Sequence, residues 1–208
     1  MEENELKRRI ILISASLLLI LLLVIGRAWL TGRTTTTRAS NTIENREHVM
    51  REILKVQNDI FKKQSVYDKE IYRYYSQLVS MDSNNTVDLI SYSGSSVRML
   101  YSANDSSEKR RYTDSAIWSA NRTRRLDNHS YASLSSAAIT FMSCGRYDVA
   151  DSIYNRIISL IDNDSLSIPQ PYAAVKDEWL KELKEAVHDN KTLIILHKKQ
   201  SQRKYYKG

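Results

Sequence analysis

Residues 10–25 read IILISASLLLILLLVI, sixteen positions without a charge, and they follow directly on Lys7, Arg8 and Arg9. Continued through residues 26–30 the apolar stretch covers 21 positions, about 31 Å as a helix and so the thickness of a bilayer core. A helix apolar on all sides needs either a large protein core or lipid around it. A chain of 208 residues has no core large enough to enclose one, so the sequence predicts a membrane anchor over residues 10–30. Ile10, Leu18, Leu22 and Ile25 would face lipid, with Trp29 at the headgroup level and Arg27 snorkelling to the same depth. The competing reading is a cleaved signal peptide, for which Gly26-Arg27-Ala28 would be the small-x-small site. The length of the run and an Arg inside that triplet favour a retained anchor.

Three cations lie on each side of the run, Lys7, Arg8 and Arg9 before it and Arg27, Arg33 and Arg38 after it. The compact cluster on a nine-residue N-terminus places residues 1–9 in the cytoplasm. The main domain is then expected outside the inner (cell) membrane, periplasmic or extracytoplasmic, on a single-pass anchor. A lone Cys144 suits an oxidising compartment. Asn-x-Ser/Thr triplets at Asn84, Asn104, Asn121, Asn128, Asn163 and Asn190 would be acceptor sites in a eukaryotic secretory pathway and otherwise a Ser-rich helical surface.

Beyond the anchor the chain reads as all-α. Five Gly, two Pro and one Cys are too few turn formers for a barrel, sandwich or propeller, and one Cys excludes an internal disulfide or a Cys-based zinc cluster. Residues 31–43, rich in Thr and without apolar periodicity, read as a flexible tether. Residues 44–81 contain no Gly or Pro and are expected to form one long amphipathic, coiled-coil-like helix. Val49, Ile53, Val56 and Ile60 are spaced 4, 3, 4, and Tyr67, Ile71, Tyr74 and Leu78 repeat the spacing after a stutter at Lys63 and Gln64. This stripe, Val49, Ile53, Val56, Ile60, Tyr67 and Tyr74 above all, is either a stalk that pairs with a second copy or a partner coil, or a helix that folds back as one layer of a bundle. Residues 82–111 are expected to be an irregular connection, with 87–101 open to one broken helix or two short strands. A helical domain follows over 112–200, and residues 201–208 form a basic tail. Pro171 is placed for the first turn of a last helix, which Asp189-Asn190 would bend or end.

The clearest local pattern spans residues 131–162. Leu134, Ala137, Ala138 and Phe141 form one apolar face; Gly145 interrupts as a left-handed cap; Tyr147, Ala150, Tyr154 and Ile157 form a second. Leu134, Ala138, Phe141, Gly145, Tyr147, Ala150 and Tyr154 fall at small and large positions in an order that resembles one tetratricopeptide repeat. The first large position holds Leu134 where that family has Trp, and Asp162 stands where the repeat usually closes on Pro. An ordinary antiparallel helix pair fits the same residues. The resemblance implies a protein-binding scaffold and no enzymatic activity.

No catalytic motif is present. His48, His129, His188 and His197 lack metal spacing, Cys144 has no acid or His partner in sequence, and no Gly-rich phosphate loop occurs. No cofactor or metal is expected, and a small-molecule substrate or nucleic acid is disfavoured as a partner. The charge of +7 favours acidic partners and is concentrated at Lys109, Arg110 and Arg111, at Arg122, Arg124 and Arg125, and at Lys198, Lys199, Arg203 and Lys204. The reading that unites these features is a non-enzymatic, membrane-anchored scaffold or assembly subunit of a cell-envelope complex, with other envelope proteins as partners and a homo-oligomer through residues 44–81 as one arrangement. Single-pass subunits of secretion machines such as the type VI membrane complex are similar in layout alone: anchor, coil, small helical part. A second class is a cytosol-facing adaptor that holds acidic proteins or nucleic acid through the basic clusters, and a third is an enzyme with an unrecognised site.

Overall fold

The computed structural model describes residues 42–59, 63–168 and 174–205, with side chains to residue 200. Among these residues seven helices and no strand occur. They are α1 (residues 42–58), α2 (Gln64–Met81), α3 (Thr86–Ser102), α4 (Ser106–Leu126), α5 (Tyr131–Ser143), α6 (Tyr147–Asp162) and α7 (Lys176–Tyr205). The chain divides into two compact units, residues 1–48 and 49–208. Of the first, the described part is the opening turns of α1. No helix among the described residues is long and apolar enough to cross a membrane. The anchor expected at Ile10, Leu18, Leu22, Ile25 and Trp29, most of the tether, Ile60 and Pro171 lie outside the described residues; Thr42 and Ile43, assigned to the tether, are helical.

The single helix expected over residues 44–81 is two helices, with Asp59 and Lys63 outside both. Val49, Ile53 and Val56 of α1 enter one buried cluster with Ile71 and Leu78 of α2, lined by Tyr67, Tyr74, Tyr75 and Met81. A continuous helix of that length would leave its apolar stripe in water unless a second chain covered it. Folding back buries the two halves of the stripe on each other, at roughly 1.5–3 kcal/mol for each aliphatic side chain. Asn58 and Asp59, poor helix formers, sit where the break begins.

The irregular connection expected over 82–111 is also helical. Asn85 caps α3 by accepting the Asp88 N–H (3.1 Å), and Asp105 caps α4 by accepting from Ser107 (3.1 Å) and Glu108 (3.3 Å). The Ser107 hydroxyl and these backbone N–H groups hold the Asp105 carboxyl below its ordinary range. Helix α3 packs most extensively on α4, and small buried residues on both sides permit the approach: Ser93, Ser95 and Ser96 from one, Ala116, Ser119 and Ala120 from the other. Tyr72 joins three helices. Its ring stacks on Tyr92 (5.4 Å), meets Tyr112 edge-on (5.1 Å), and its hydroxyl lies 3.2 Å from that of Tyr92.

Helices α5, α6 and α7 close the largest core. Leu134, Ala137, Ala138, Phe141, Ala150, Tyr154 and Ile157 are buried in it, joined from α7 by Leu183, Val187 and Ile194. Gly145 has φ +72°, the Arg146 N–H reaches the Phe141 carbonyl (2.8 Å), and the Gly145 N–H reaches that of Met142 (3.0 Å). This is a Schellman ending. The same bonds recur after α6, where Ser165 reaches back to Leu160 (2.8 Å) and Asp164 takes the left-handed position with φ 51°. The two turns make opposite forecasts. Gly145→Val should cost about 1–2 kcal/mol, since a β-branched side chain is forced into left-handed backbone. Asp164→Gly should gain up to ~1 kcal/mol by relieving the same strain. The exposed Asp164–Lys176 pair lost with it contributes little. Thermal melts followed by circular dichroism check the signs; an unchanged Tm for Gly145→Val would contradict the turn.

The last helix runs unbroken through Asp189 and Asn190 to Tyr205, where a bend or end was expected. Asn190 is accommodated by donating its amide to the Ala186 carbonyl (2.9 Å). Along its contact with α6, Lys184, Lys191 and Lys198, each seven residues apart, meet Asp162 (2.7 Å), Asn155 (2.5 Å) and Asp148 (2.5 Å), spaced seven in reverse. Such a ladder marks an antiparallel register, while the aliphatic side chains beside it supply most of the stabilisation.

Candidate functional site

Among the open clefts between the described helices, two gather cations. The first, about 510 Å³, is bounded by the end of α4, the start of α5 and the middle of α6. Arg124, Arg125, Asn128 and Arg156 form its rim and Leu134 and Ile153 its floor. The α4 C-terminus positions the first two arginines, where a helix dipole favours cations. Arg124 is half-buried; its Nε donates to Asn121 (3.1 Å) and its guanidinium lies 5.8 Å from the Phe141 ring centroid. Arg125 and Arg156 are exposed, and Arg156 Nη2 is 3.5 Å from His129 Nε2. Among the described residues none of these three guanidiniums has a carboxylate partner. The nearest acid in sequence, Asp127, is occupied by the Ser130 N–H (3.2 Å) and the Ser133 hydroxyl (3.2 Å).

The second cleft, about 750 Å³, lies between α2 and α4, with Tyr72 and Tyr112 at its base and Lys69, Arg73 and Arg111 on its walls. Arg111 donates to the Tyr112 hydroxyl (2.7 Å) and lies near Glu108 (3.7 Å), so its charge is partly committed. Burial pushes the Tyr72 hydroxyl up to about 12, with the Tyr92 hydrogen bond adding to the shift. That phenol stays protonated at neutral pH and is no base.

No protein-family model matches the chain, and no curated protein or solved structure matches it either. The site is therefore read from its own residues.

Of the positions expected to meet partners, Val49, Ile53 and Val56 are buried, and Tyr67 and Tyr74 pack on the same cluster. They hold α1 on α2 within the chain. Leu134, Ala138, Phe141, Ala150 and Tyr154 are core residues, and Tyr147 packs at the edge with its ring stacked on His197 (5.7 Å). The basic clusters separate by environment. Arg110 lies near Asp114 (4.0 Å), Lys198 joins Asp148 in the α6–α7 ladder, and Lys199 is exposed on α7. Arg203 and Lys204 fall on the α7 backbone beyond the described side chains. Arg124 and Arg125 remain, and the fold brings Arg156 to them from thirty residues away. Sequence reasoning missed Arg156, since only the pairing of α4, α5 and α6 places it there.

Other chemistry finds no centre. His48, His129, His188 and His197 are exposed, and no three His, Cys, Asp or Glu side chains among the described residues are grouped as metal ligands. Cys144 sits at the α5 C-cap, where burial raises its thiol pKa, the reverse of what activates a nucleophile. The Tyr154 hydroxyl is buried without a hydrogen-bond partner, and burial pushes it up to about 12.

Proposed function

We propose that the chain is a membrane-anchored scaffold or assembly subunit of a cell-envelope protein complex, with its helical domain on the extracytoplasmic side. One observation carries the reading. In residues 193–196 of α7, Ile194 enters the core while Leu193, Ile195 and Leu196 stay 45%, 51% and 50% exposed. Leu193 and Leu196, three residues apart, share one side of the helix, and Ile195 lies next to Leu196 around it, an exposed apolar surface suited to another protein. The apolar run at residues 10–30 supports attachment to a membrane, and the cations before it support a cytoplasmic N-terminus. The paired helices over 131–162, small residues against large, support a binding array of the tetratricopeptide kind, acting without chemistry of its own. Folding residues 49–81 back on themselves leaves the outer helices, α7 foremost, to meet partners.

In-cell crosslinking, purification of the tagged full chain in mild detergent and mass spectrometry test the proposal. A stoichiometric set of envelope proteins is expected, and Leu193→Asp with Leu196→Asp should remove it. Recovery of free monomer alone would overturn the scaffold reading.

A further inference from the structure

We infer that the arginine cleft between α4, α5 and α6 is a docking site for an acidic segment of a partner protein, one in which carboxylates flank an aliphatic side chain. The inference rests on the scaffold reading and names the chemistry of one partner.

Charge is the first argument. Arg124, Arg125 and Arg156 converge on one concavity of about 510 Å³, and none has a carboxylate partner among the described residues. Some cations elsewhere are matched, such as Arg98 with Asp68 (3.1 Å), Lys184 with Asp162 (2.7 Å) and Lys198 with Asp148 (2.5 Å). Three unmatched positive charges in a cleft with low-dielectric walls concentrate a field that draws anions. Guanidinium forks also suit carboxylates geometrically, donating two parallel N–H bonds to the two oxygens.

Preorganisation is the second. Arg124 is held by Asn121 and by the face of Phe141, so little side-chain freedom is lost when it binds. Asn128 adds an amide to the rim.

The floor selects the class of anion. Leu134 and Ile153 close it from below, each only 3% exposed, so the apolar surface a ligand must cover is narrow and is completed by the aliphatic stems of the arginines. An acidic peptide carrying Leu between Glu residues meets both, whereas a phosphate polymer meets the rim alone.

The test uses the full chain in mild detergent and fluorescence anisotropy with a labelled Glu-Leu-Glu-Glu-Leu-Glu peptide. Binding is expected to weaken at least tenfold in Arg124→Gln/Arg156→Gln and to fall steeply between 50 and 300 mM salt, over which the Debye length shortens from about 14 to about 6 Å. Arg125→Gln/Arg156→Gln, which leaves Arg124 packed on Phe141, should also weaken it, and Arg110→Gln should not. Circular dichroism establishes that each variant folds. Equal binding by the double variants would overturn the inference. So would equal binding of a peptide with Gly in place of Leu, or stronger binding of inorganic polyphosphate or of anionic vesicles. Repeating the in-cell crosslinking with Arg124→Gln/Arg156→Gln separates the two readings. Loss of one component supports the cleft, and an unchanged complex overturns it while the scaffold stands. If the wild-type chain itself captures nothing, the scaffold fails, and the peptide titration still decides the cleft.

Discussion

Ile157→Ala should remove about 2–5 kcal/mol of stability. Ile157 has no exposed surface, and it belongs to the cluster built by α5, α6 and α7. Its α6 neighbours Ile153, Leu160 and Ile161 continue the same buried face, and Val187 and Ile194 approach from α7. Truncation leaves a cavity that this cluster cannot readily close, since Ala137, Ala138 and Ala150 already bring backbones together and have no side chain to move inward. A domain of this size is stable by about 5–15 kcal/mol, so the loss is a large share of the whole. Denaturant titration followed by circular dichroism measures it. The cost should appear as a lower midpoint with an unchanged slope. A change under 1 kcal/mol would mean that α6 is not central to the core.

The α5–α6 hairpin was legible because its residues obey simple rules. Small and large apolar side chains alternate at helical spacing, and Gly145 stands where a left-handed residue is required. Helix α3 and the opening turns of α4 (residues 106–111) were not, although 112–126 fell within the expected helical domain; the buried faces of this pair are rich in polar residues. Ser95 and Ser96 both donate to the Tyr92 carbonyl (2.9 and 2.7 Å), Ser119 to that of Ser115 (3.0 Å), and Thr123 to that of Ser119 (2.9 Å). Ser93 and Thr140 share a buried hydroxyl contact at 2.7 Å between α3 and α5. Each hydroxyl is satisfied one turn back or across a helix pair, so its burial costs little. A reading based on polarity assigns such residues to solvent and the segment to a loop. The caps at Asn85 and Asp105 were the available signal, and both lie in stretches whose Ser and Asn content reads equally well as irregular. The long-helix expectation failed for another reason. The stripe was read correctly, but spacing alone does not say whether its complement lies in another chain or twenty residues downstream. The candidate cleft was half visible: Arg124 and Arg125 stood out as a run, while Arg156 is a lone cation on α6 until the helices pair.

Ile53→Asp should release α1 while leaving the rest of the domain folded. Among the described residues α1 contributes Val49, Ile53 and Val56 to the cluster it shares with α2, and Ile53 is the most buried of the three at 2% exposed. Its replacement removes roughly 1.5–3 kcal/mol of apolar burial and adds a carboxylate whose burial costs still more. Undocking of α1 avoids that second cost, because the new charge then meets water. Helix α2 has a separate hold on the domain. Tyr72 and Val79 face α3, and Asp68 pairs with Arg98 (3.1 Å) and accepts from Gln64 (3.0 Å). Opening of α1 therefore exposes Ile71 and Leu78 without dislodging α2. Native-state hydrogen exchange resolves the two levels. Protection at residues 49–58 should fall by at least a hundredfold, about 2.8 kcal/mol at 1.4 kcal/mol per factor of ten, while α5 and α6 keep theirs. Uniform loss of protection across the helices would show instead that the α1–α2 cluster and the α5–α7 core unfold as one cooperative unit.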